Sequence, residues 1–191
     1  MAYDQRYHRR RSIRLQGCDY SQEGAYFITI CARDKACVFG KLVDGQMLPN
    51  DAGQIVAEAW QWLAAQYGHV ELDEWVVMPN HLHGIIVISY ADCRGGSRTA
   101  PTGTTMKRKP LGQLIGAFKT VSTKRINDLR STPGVGLWQR NYYEHIIRNE
   151  ESLNRIRQYN ANNPLQWELD RENPVGAHRD APLHEDEPWR I

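Results

Sequence analysis

The sequence predicts a single α+β domain in which helices cover an antiparallel sheet. Three observations predict this class. Apolar runs with the period of two that is typical of strands alternate with longer runs of nearly helical period. Their order along the chain is strand, helix, strand, strand, helix, strand, helix. A chain of 191 residues is also long enough to bury one substantial core.

The first half of the chain contains three predicted strands, a hairpin and one helix. Residues 25–32 are rich in aromatic and β-branched side chains, which favour a strand. A short hairpin is expected within 38–48, around an Asp-Gly dipeptide that is typical of tight turns. Apolar residues at helical spacing predict a helix over 50–67, and two further apolar runs predict strands over 70–78 and 81–90.

The second half begins with a linker and adds two helices and a strand. Glycine, serine, threonine and proline are frequent in 92–110, which predicts a flexible basic linker. The spacing of apolar residues predicts a helix over 111–130, and 137–147 is predicted to be a fourth strand. A last helix is predicted to begin with Asn149 as its cap and to end before Pro164. The complete order is that of a ferredoxin-like β-α-β-β-α-β unit with an additional C-terminal helix.

Two histidines follow a Pro-Asn turn between two of the predicted strands. His81 and His83 lie two positions apart, and side chains alternate across a strand, so both imidazoles point to the same face. Leu82 between them faces the opposite side. Two imidazoles on one face can bind one metal ion without distortion of the backbone. The alternative is a pair of ordinary, partly buried histidines.

The last helix carries a tyrosine and an asparagine on one edge. Tyr159 and Asn163 are four residues apart, so they lie one above the other on the helix. A phenol and an amide oxygen that face the histidine pair offer a nucleophile and a third metal ligand. The alternative is that Tyr159 is a packing residue and Asn163 a helix cap. Asn162 also competes with Asn163 for the ligand position.

Three segments of the chain resemble the REP-associated tyrosine transposases. These are single-tyrosine HUH endonucleases, related to small bacterial insertion-sequence transposases. The segments are 79–84 (PNHLHG), 138–149 (WQRNYYEHIIRN), and Tyr159 with Asn163 and Pro164. They occur in the order and with the spacing of the family, and the resemblance covers residues 24–165.

The resemblance implies an enzyme that cuts and joins DNA. Tyr159 would be the nucleophile. His81, His83 and Asn163 would hold Mg²⁺ or Mn²⁺, since the family match falls on Asn163 rather than on Asn162. The implied substrate is single-stranded DNA beside a hairpin, which becomes covalently attached to the tyrosine and is then rejoined to another strand. A monomer and a homodimer are both compatible with the resemblance.

Two other functions remain open. One is a catalytically silent protein that binds DNA hairpins through the same fold. The other is a small metal-dependent hydrolase, in which water attacks and Tyr159 is incidental. Replacing Tyr159 with phenylalanine distinguishes them, because only the transposase-like enzyme loses cleavage while it keeps DNA binding.

Charge is distributed unevenly along the chain, although the net charge is only +2. Residues 94–130 contain nine Lys and Arg against one acid, whereas residues 168–187 contain seven acids against two Arg. A basic segment of this kind favours an anionic partner. The expected organisation is a basic arm over 1–23, a catalytic domain over 24–165 and an acidic, poorly packed tail over 166–191. The residues expected to contact DNA are Arg9, Arg10, Arg11, Arg14, Lys107, Arg108, Lys109 and Lys119.

Other features favour a cytoplasmic, nucleoid-associated protein without a membrane partner. No apolar run approaches the ~18 residues that span a bilayer, and the basic N-terminus lacks the apolar core of a secretory signal. The four cysteines form no C-x-x-C pair, which fits a reducing compartment. Trp138, Tyr142 and Tyr143 are expected in the core, with base stacking as the alternative, and His145 is not expected to be a ligand.

Overall fold

The computed structural model describes residues 23–89, 109–170 and 172–174 of the chain. The elements in chain order are β1 (Gly24–Cys31), β2 (Gly40–Val43), β3 (Gln46–Pro49), α1 (Asp51–Gln66), β4 (Val70–Val77), β5 (His81–Ile88), α2 (Leu111–Arg130), β6 (Tyr143–Ile147) and α3 (Glu150–Asn162). A short 3₁₀ helix at Arg33–Lys35 follows β1, and a longer one at Asn163–Leu169 follows α3.

Four strands form one antiparallel sheet in the order β4-β5-β1-β6. α1 crosses from β1 to β4, and α2 crosses from β5 to β6, so this is the predicted ferredoxin-like arrangement. The predicted α+β class and the additional C-terminal helix are therefore confirmed. β2 and β3 form a separate hairpin, whose turn residues Asp44 and Gly45 have φ angles of 50° and 72°.

The larger core lies between the sheet and the pair α1 and α2. Ile28 of β1 and Leu82 of β5 point into it. Gly84 of β5 faces Trp60 of α1 so closely that an added Cβ would lie 2.5 Å from the indole ring. The glycine after the histidine pair therefore allows a helix to approach the strand that carries the histidines.

The opposite face of the sheet is covered by α3 and by the 3₁₀ helix that follows it. Phe27 of β1 and Ile85 of β5 pack against Ile156 of α3, and all three side chains are fully buried. This smaller core is next to His81 and His83, which point to the same face. The topology thus brings the last helix onto the strand that carries the histidine pair.

An asparagine caps the start of α1 and another caps the start of α3. Asn50 Oδ1 accepts a hydrogen bond from the backbone N–H of Gly53 at 3.1 Å, which begins α1. Asn149 Oδ1 accepts one from the N–H of Ser152 at 2.7 Å, which begins α3. These caps start α1 and α3 within one residue of the predicted positions, and α2 begins at Leu111 as predicted without a side-chain cap.

The fourth strand is shorter than the sequence predicts. The predicted range is 137–147, but the ladder with β1 covers only Tyr143–Ile147, and Trp138 forms an isolated bridge with Ala32. The carbonyl oxygens of residues 139–141 accept hydrogen bonds from Nζ of Lys119 at 2.8, 3.4 and 3.0 Å. A charged amine that binds three successive carbonyls withdraws them from a strand ladder, and hydrophobic periodicity does not reveal such a partner.

Several predicted segments lie outside the described residues, namely 1–22, 90–108, 171 and 175–191. Six residues expected to contact DNA fall there, namely Arg9, Arg10, Arg11, Arg14, Lys107 and Arg108. Of the tail predicted to pack poorly, residues 166–170 and 172–174 are described, and they contact the sheet. No helix in the described ranges is both long and apolar enough to cross a membrane.

Candidate active site

His81 and His83 begin β5 on the sheet face that α3 covers. Their exposed fractions are 0% and 2%, and their ring centroids are 4.3 Å apart. Leu82 points to the opposite face, into the larger core. The predicted geometry of two imidazoles on one face of a strand is therefore confirmed.

Asn80 determines which nitrogen of His81 carries the proton. Its amide nitrogen donates to the carbonyls of Lys35 at 3.0 Å and of Glu172 at 2.7 Å, so its oxygen must face the ring. That oxygen accepts a hydrogen bond from Nδ1 of His81 at 2.8 Å. The lone pair of Nε2 therefore points into the site, and no described residue donates a hydrogen bond to it.

His83 is held in a similar way by Thr29 on the adjacent strand. Nδ1 of His83 hydrogen-bonds Oγ1 of Thr29 at 2.8 Å, which leaves Nε2 on the side of α3. Burial, with His81 acting in the same direction, lowers the pKa of His83 to about 3. Burial and the nearby charge of Lys35 lower the pKa of His81 to about 3. Both rings are neutral near pH 7, which is the protonation state that binds metal ions.

Asp170, which the sequence does not mark as a ligand, completes the group. Its Oδ2 lies 3.7 Å from Nε2 of His81, and its side chain is 2% exposed. This contact is not an ion pair, because burial keeps the ring of His81 neutral. The candidate ligand atoms of His81, His83 and Asp170 all lie within 4.8 Å of one another. One cation can therefore contact all three.

Asn163, the predicted third ligand, contacts the carboxylate of Asp170. Its Nδ2 donates to Oδ2 of Asp170 at 3.1 Å, so its own oxygen points the other way. That oxygen is buried and has no hydrogen-bond partner among the described residues. Asn162 is exposed, so of the two asparagines it is Asn163 that enters the site. A buried oxygen and a buried imidazole nitrogen that both lack donors fit a bound cation.

The charge of the group also favours a cation. Besides Asn163, Asp170 accepts a hydrogen bond from the backbone N–H of Glu172 at 2.6 Å, and both donors are neutral. The nearby amine of Lys35 pairs with the carboxylate of Glu172 at 3.1 Å. Among the described residues no cationic side chain pairs with Asp170, and a buried carboxylate without a positive partner is unfavourable. Two imidazoles with carboxylate and amide oxygens suit a divalent ion such as Mn²⁺ or Mg²⁺.

The residues that follow α3 fold back over the histidine pair. The ring of Trp167 stacks on that of His81 with a centroid distance of 5.9 Å. Glu172 accepts a hydrogen bond from the thiol of Cys31 at 3.3 Å in addition to its ion pair with Lys35. Burial, with Glu172 beside it, raises the pKa of that thiol. This part of the chain is predicted to pack poorly, but specific polar contacts hold it in place. Such contacts leave no periodic pattern in the sequence.

Tyr159 of α3 faces the histidine pair. Its Oη lies 3.4 Å from Nε2 of His83, and the two ring centroids are 5.3 Å apart. Phe27 contacts the tyrosine ring edge to face at 6.1 Å. The phenol oxygen is thus adjacent to the ring nitrogen that points into the candidate metal position. All of these groups belong to one chain, in which Tyr159 and His83 are 76 positions apart.

Two residues predicted to contact DNA are engaged by the protein itself. Nζ of Lys119 binds the three carbonyls of residues 139–141, and burial lowers the pKa of this amine to about 8. Nζ of Lys109 donates to the hydroxyl of Tyr67 at 3.0 Å and lies over its ring. For both residues, a direct phosphate contact stays a prediction.

A groove of about 430 Å³ lies beyond the end of β1. Its lining residues are Arg33, Asp34, Gly136, Trp138, Gln139 and Arg140. The backbone N–H of Gln139 donates to the carbonyl of Cys31 at 2.9 Å, and Cys31 is the strand partner of His81. One wall of the groove is thus bonded to β1, the strand that pairs with the histidine strand, and the two arginines of the groove have exposed side chains.

The aromatic residues near the last strand have different surroundings. Trp138 is 9% exposed and donates from Nε1 to Oγ of Ser122 at 2.9 Å, and Tyr142 packs against the larger core. Tyr143 is 37% exposed and contacts Phe27 edge to face at 6.4 Å. Trp138 and Tyr142 therefore lie in or against the core, as predicted, whereas Tyr143 is only partly buried.

Three residues of the site are missing from the sequence prediction. Asn80 could have been found from the sequence, because it immediately precedes His81 and the second ring nitrogen of a metal-ligating histidine needs a hydrogen-bond acceptor. Thr29 lies beside His83 because of the register between β1 and β5. Asp170 reaches the site through a segment that has no hydrophobic periodicity. Neither position can be derived from spacing alone.

Comparison with known proteins adds relatives in sequence and in structure. The chain is 41% identical over 174 residues to an uncharacterized protein of Haemophilus influenzae, an alignment that covers 88% of this chain and 96% of that protein. No model of a known protein family matches the chain. The structure is similar to that of a REP-associated tyrosine transposase bound to a REP hairpin, with a TM-score of 0.54, 19% identity, and coverage of 81% of this chain and 74% of that one. A candidate transposase of Deinococcus radiodurans R1 aligns with a TM-score of 0.43, 18% identity, and coverage of 78% and 97%.

Proposed function

We propose that this chain cuts and rejoins single-stranded DNA beside hairpins with the help of a metal ion. The chain belongs to one family with the Haemophilus influenzae protein. It has the fold of the REP-associated tyrosine transposases. The position of Tyr159 carries the proposal. Its Oη is 3.4 Å from Nε2 of His83, next to the candidate ligand group. A phenol beside a cation position is suited to attack a phosphate.

His81, His83 and Asp170 are the proposed ligands. Asn163 faces Asp170 through Nδ2, and rotation of its amide by 180° would turn the oxygen toward the ion as a further ligand. A divalent ion there supplies positive charge against the negative charge that develops on a DNA phosphate. Imidazole suits Mn²⁺ better than Mg²⁺, while oxygen ligands suit both, so we expect activity with either ion and a preference for Mn²⁺. Asn80 and Thr29 keep the two rings oriented through Nδ1.

The proposed step exchanges one phosphate ester for another. Tyr159 Oη loses its proton and forms a bond to phosphorus, while the bond between phosphorus and a deoxyribose oxygen breaks. That oxygen takes up a proton and leaves as a free hydroxyl. Since the protein–DNA ester replaces the DNA ester, attack by another DNA hydroxyl can rejoin the strand without ATP.

DNA contacts are proposed at the groove beyond β1. Arg33 and Arg140 offer guanidinium groups that bind phosphates in a planar fork, and Tyr143 offers a partly exposed ring for a base. The similar structure contains a transposase bound to a REP hairpin. By analogy, the proposed substrate class is single-stranded DNA that carries a hairpin.

Cleavage of labelled hairpin DNA on a denaturing gel tests the proposal. Wild type with Mn²⁺ should cut the DNA, and Tyr159→Phe should bind it with unchanged affinity without cutting it. Tyr142→Phe, on the other side of the sheet, is the matched control and should cut normally. Cleavage that survives Tyr159→Phe would support a metal-dependent hydrolase. Binding by wild type without any cleavage, over several hairpins, would support a silent hairpin-binding protein.

A further inference from the structure

β4 contains an irregularity at the point where α3 crosses it. Leu72 pairs with Ile86 and Trp75 pairs with Gly84, so two residues of β4 stand opposite one residue of β5. The two residues are Asp73 and Glu74. Such a β-bulge turns side chains and carbonyl groups away from the regular ladder, and bulges are frequent beside active sites.

Both residues of the bulge bind α3. The carboxylate of Asp73 accepts hydrogen bonds from Nη2 of Arg157 at 2.6 Å and from Nε at 3.0 Å, a bidentate arrangement. The backbone carbonyl of Glu74 accepts a hydrogen bond from Nδ2 of Asn160 at 2.9 Å. Asn160 is fully buried, so this bond is formed away from water.

These contacts bracket the nucleophile along the helix. Arg157 is two residues before Tyr159, and Asn160 is the next residue after it. The apolar contact of α3 with the sheet is small, since the fully buried apolar side chain of this helix is Ile156. A narrow apolar contact leaves rotation of a helix about its axis weakly determined, whereas two polar contacts to fixed points on one strand determine it.

The guanidinium of Arg157 is itself held in place. Its Nη1 donates to Oδ1 of Asn154 at 3.0 Å and lies 3.6 Å from Oε1 of Glu150. The hydrogen bonds from Arg157 keep the pKa of Asp73 below its ordinary value. The carboxylate of Asp73 is therefore charged at every pH at which DNA binding would be assayed, so its ion pair with Arg157 persists.

We infer that the bulge in β4 anchors α3, and that Asp73, Arg157 and Asn160 are positioning residues that hold Tyr159 Oη beside His83. The inference rests on the proposed function for its catalytic consequence, while the anchoring itself is a property of the fold. A displacement of about 1 Å at a nucleophile can lower a rate by about a hundredfold. Loss of the anchor should therefore affect the attack much more than DNA binding.

The test compares two arginines of the same helix. Arg157→Gln removes the anchor, and Arg155→Gln removes an exposed arginine whose nearest partner, Glu151, is 3.9 Å away. At saturating hairpin DNA with Mn²⁺, Arg157→Gln should form the covalent adduct at least about tenfold more slowly, with unchanged DNA affinity. Arg155→Gln should match wild type in both. The exchanged pair Asp73→Arg with Arg157→Asp should recover part of the lost rate, as a merely destabilising change would not.

Hydrogen exchange of α3 separates this inference from the proposed function. Arg157→Gln and Asn160→Ala should increase exchange of α3 amides without changing β1 or β5, whether or not the wild type forms an adduct. Equal adduct rates and equal exchange for Arg157→Gln and Arg155→Gln would overturn the anchor. A slower rate that comes with weakened DNA binding and faster exchange throughout the sheet would also overturn it, since that pattern is general destabilisation. Absence of any adduct in wild type overturns the proposed function, and the exchange result then decides the anchor alone.

Discussion

The buried imidazoles of the site owe their orientation to single neighbouring residues. Oδ1 of Asn80 accepts a hydrogen bond from Nδ1 of His81, and Oγ1 of Thr29 hydrogen-bonds Nδ1 of His83. Each contact leaves Nε2 facing the candidate metal position. A short polar residue on the adjacent strand or in the preceding turn is thus as much a part of the site as the ligands are.

Asn80→Ala should weaken metal binding without removing a ligand. Loss of the Oδ1 acceptor allows the proton of His81 to move to Nε2, where it competes with a cation. We expect the affinity for Mn²⁺ to fall about 10- to 100-fold, measured by calorimetry. The control is Asn162→Ala, at an exposed asparagine near the site, which should bind Mn²⁺ as wild type does. Equal affinity for Asn80→Ala and wild type would contradict this role.

Gly84→Ala tests the contact between the histidine strand and α1. The new Cβ would lie 2.5 Å from Cζ2 of Trp60 and 3.1 Å from Cβ of Trp75, so one of the indoles must move. We expect the free energy of unfolding to fall by about 1–3 kcal/mol in urea denaturation. Gly116→Ala in α2 meets nothing within 4 Å and should leave stability unchanged or raise it. An unchanged free energy of unfolding for Gly84→Ala would contradict this expectation, because it would mean that the Trp60 indole can move aside into free space.

Much of the site could be predicted at the residue scale, and the reason is local geometry. His81 and His83 are placed on one face by strand alternation, and Tyr159 and Asn163 on one edge by the helical repeat. Asp170 could not be predicted, because it lies in a segment whose position depends on contacts with Asn80 and Asn163 rather than on a repeating pattern.

At the scale of elements, the helices agree with the sequence and the last strand does not. α1 and α3 begin at capping asparagines, which are local signals. The predicted strand does not form over 137–142, and the cause is distant in sequence. Lys119 on α2 binds the carbonyls that a strand ladder would need. The bulge in β4 is equally invisible in the sequence, because its partner residues lie on α3.

The ion pair between β4 and α3 should make stability depend on pH. Asp73 has a pKa below its ordinary value of 3.8, chiefly because Arg157 donates to it. Its contribution is therefore complete above the ordinary pKa and is lost as the pH falls through the folded-state pKa. Followed by urea denaturation, the difference in unfolding free energy between wild type and Asp73→Asn should be constant from pH 7 to about pH 5 and should shrink as the pH falls from there to about 2. A difference that stays constant over this range would show that the charge of Asp73 contributes nothing.

At the scale of the whole molecule, the topology assembles the site from distant parts of the chain. The central strands supply Thr29 and the histidine pair, the last helix supplies Tyr159, and the segment after it supplies Asp170. The order β4-β5-β1-β6 leaves the face opposite α1 and α2 for α3. This placement follows from the predicted ferredoxin-like order, whereas the fold-back of residues 163–170 and 172–174 does not.

Metal binding should stabilise the molecule as a whole. An ion that binds the folded chain at a hundred times its Kd adds about 2.7 kcal/mol, which corresponds to a rise in Tm of about 5–10 °C for a domain of this size. We expect Mn²⁺ to raise the Tm of wild type in calorimetry, and EDTA to reverse the rise. The variant with His81→Ala and His83→Ala should show no rise. An equal rise in that variant would place the ion elsewhere.

Identification of the covalent bond between protein and DNA would decide whether Tyr159 is the nucleophile. Wild-type protein is incubated with hairpin-bearing single-stranded DNA and Mn²⁺, digested with protease and nuclease, and analysed by mass spectrometry. We predict a nucleotide attached through phosphate to the peptide that contains Tyr159, and its absence without metal or in the His81→Ala, His83→Ala variant. Attachment at another residue, or cleaved DNA with no attached peptide, would contradict this prediction.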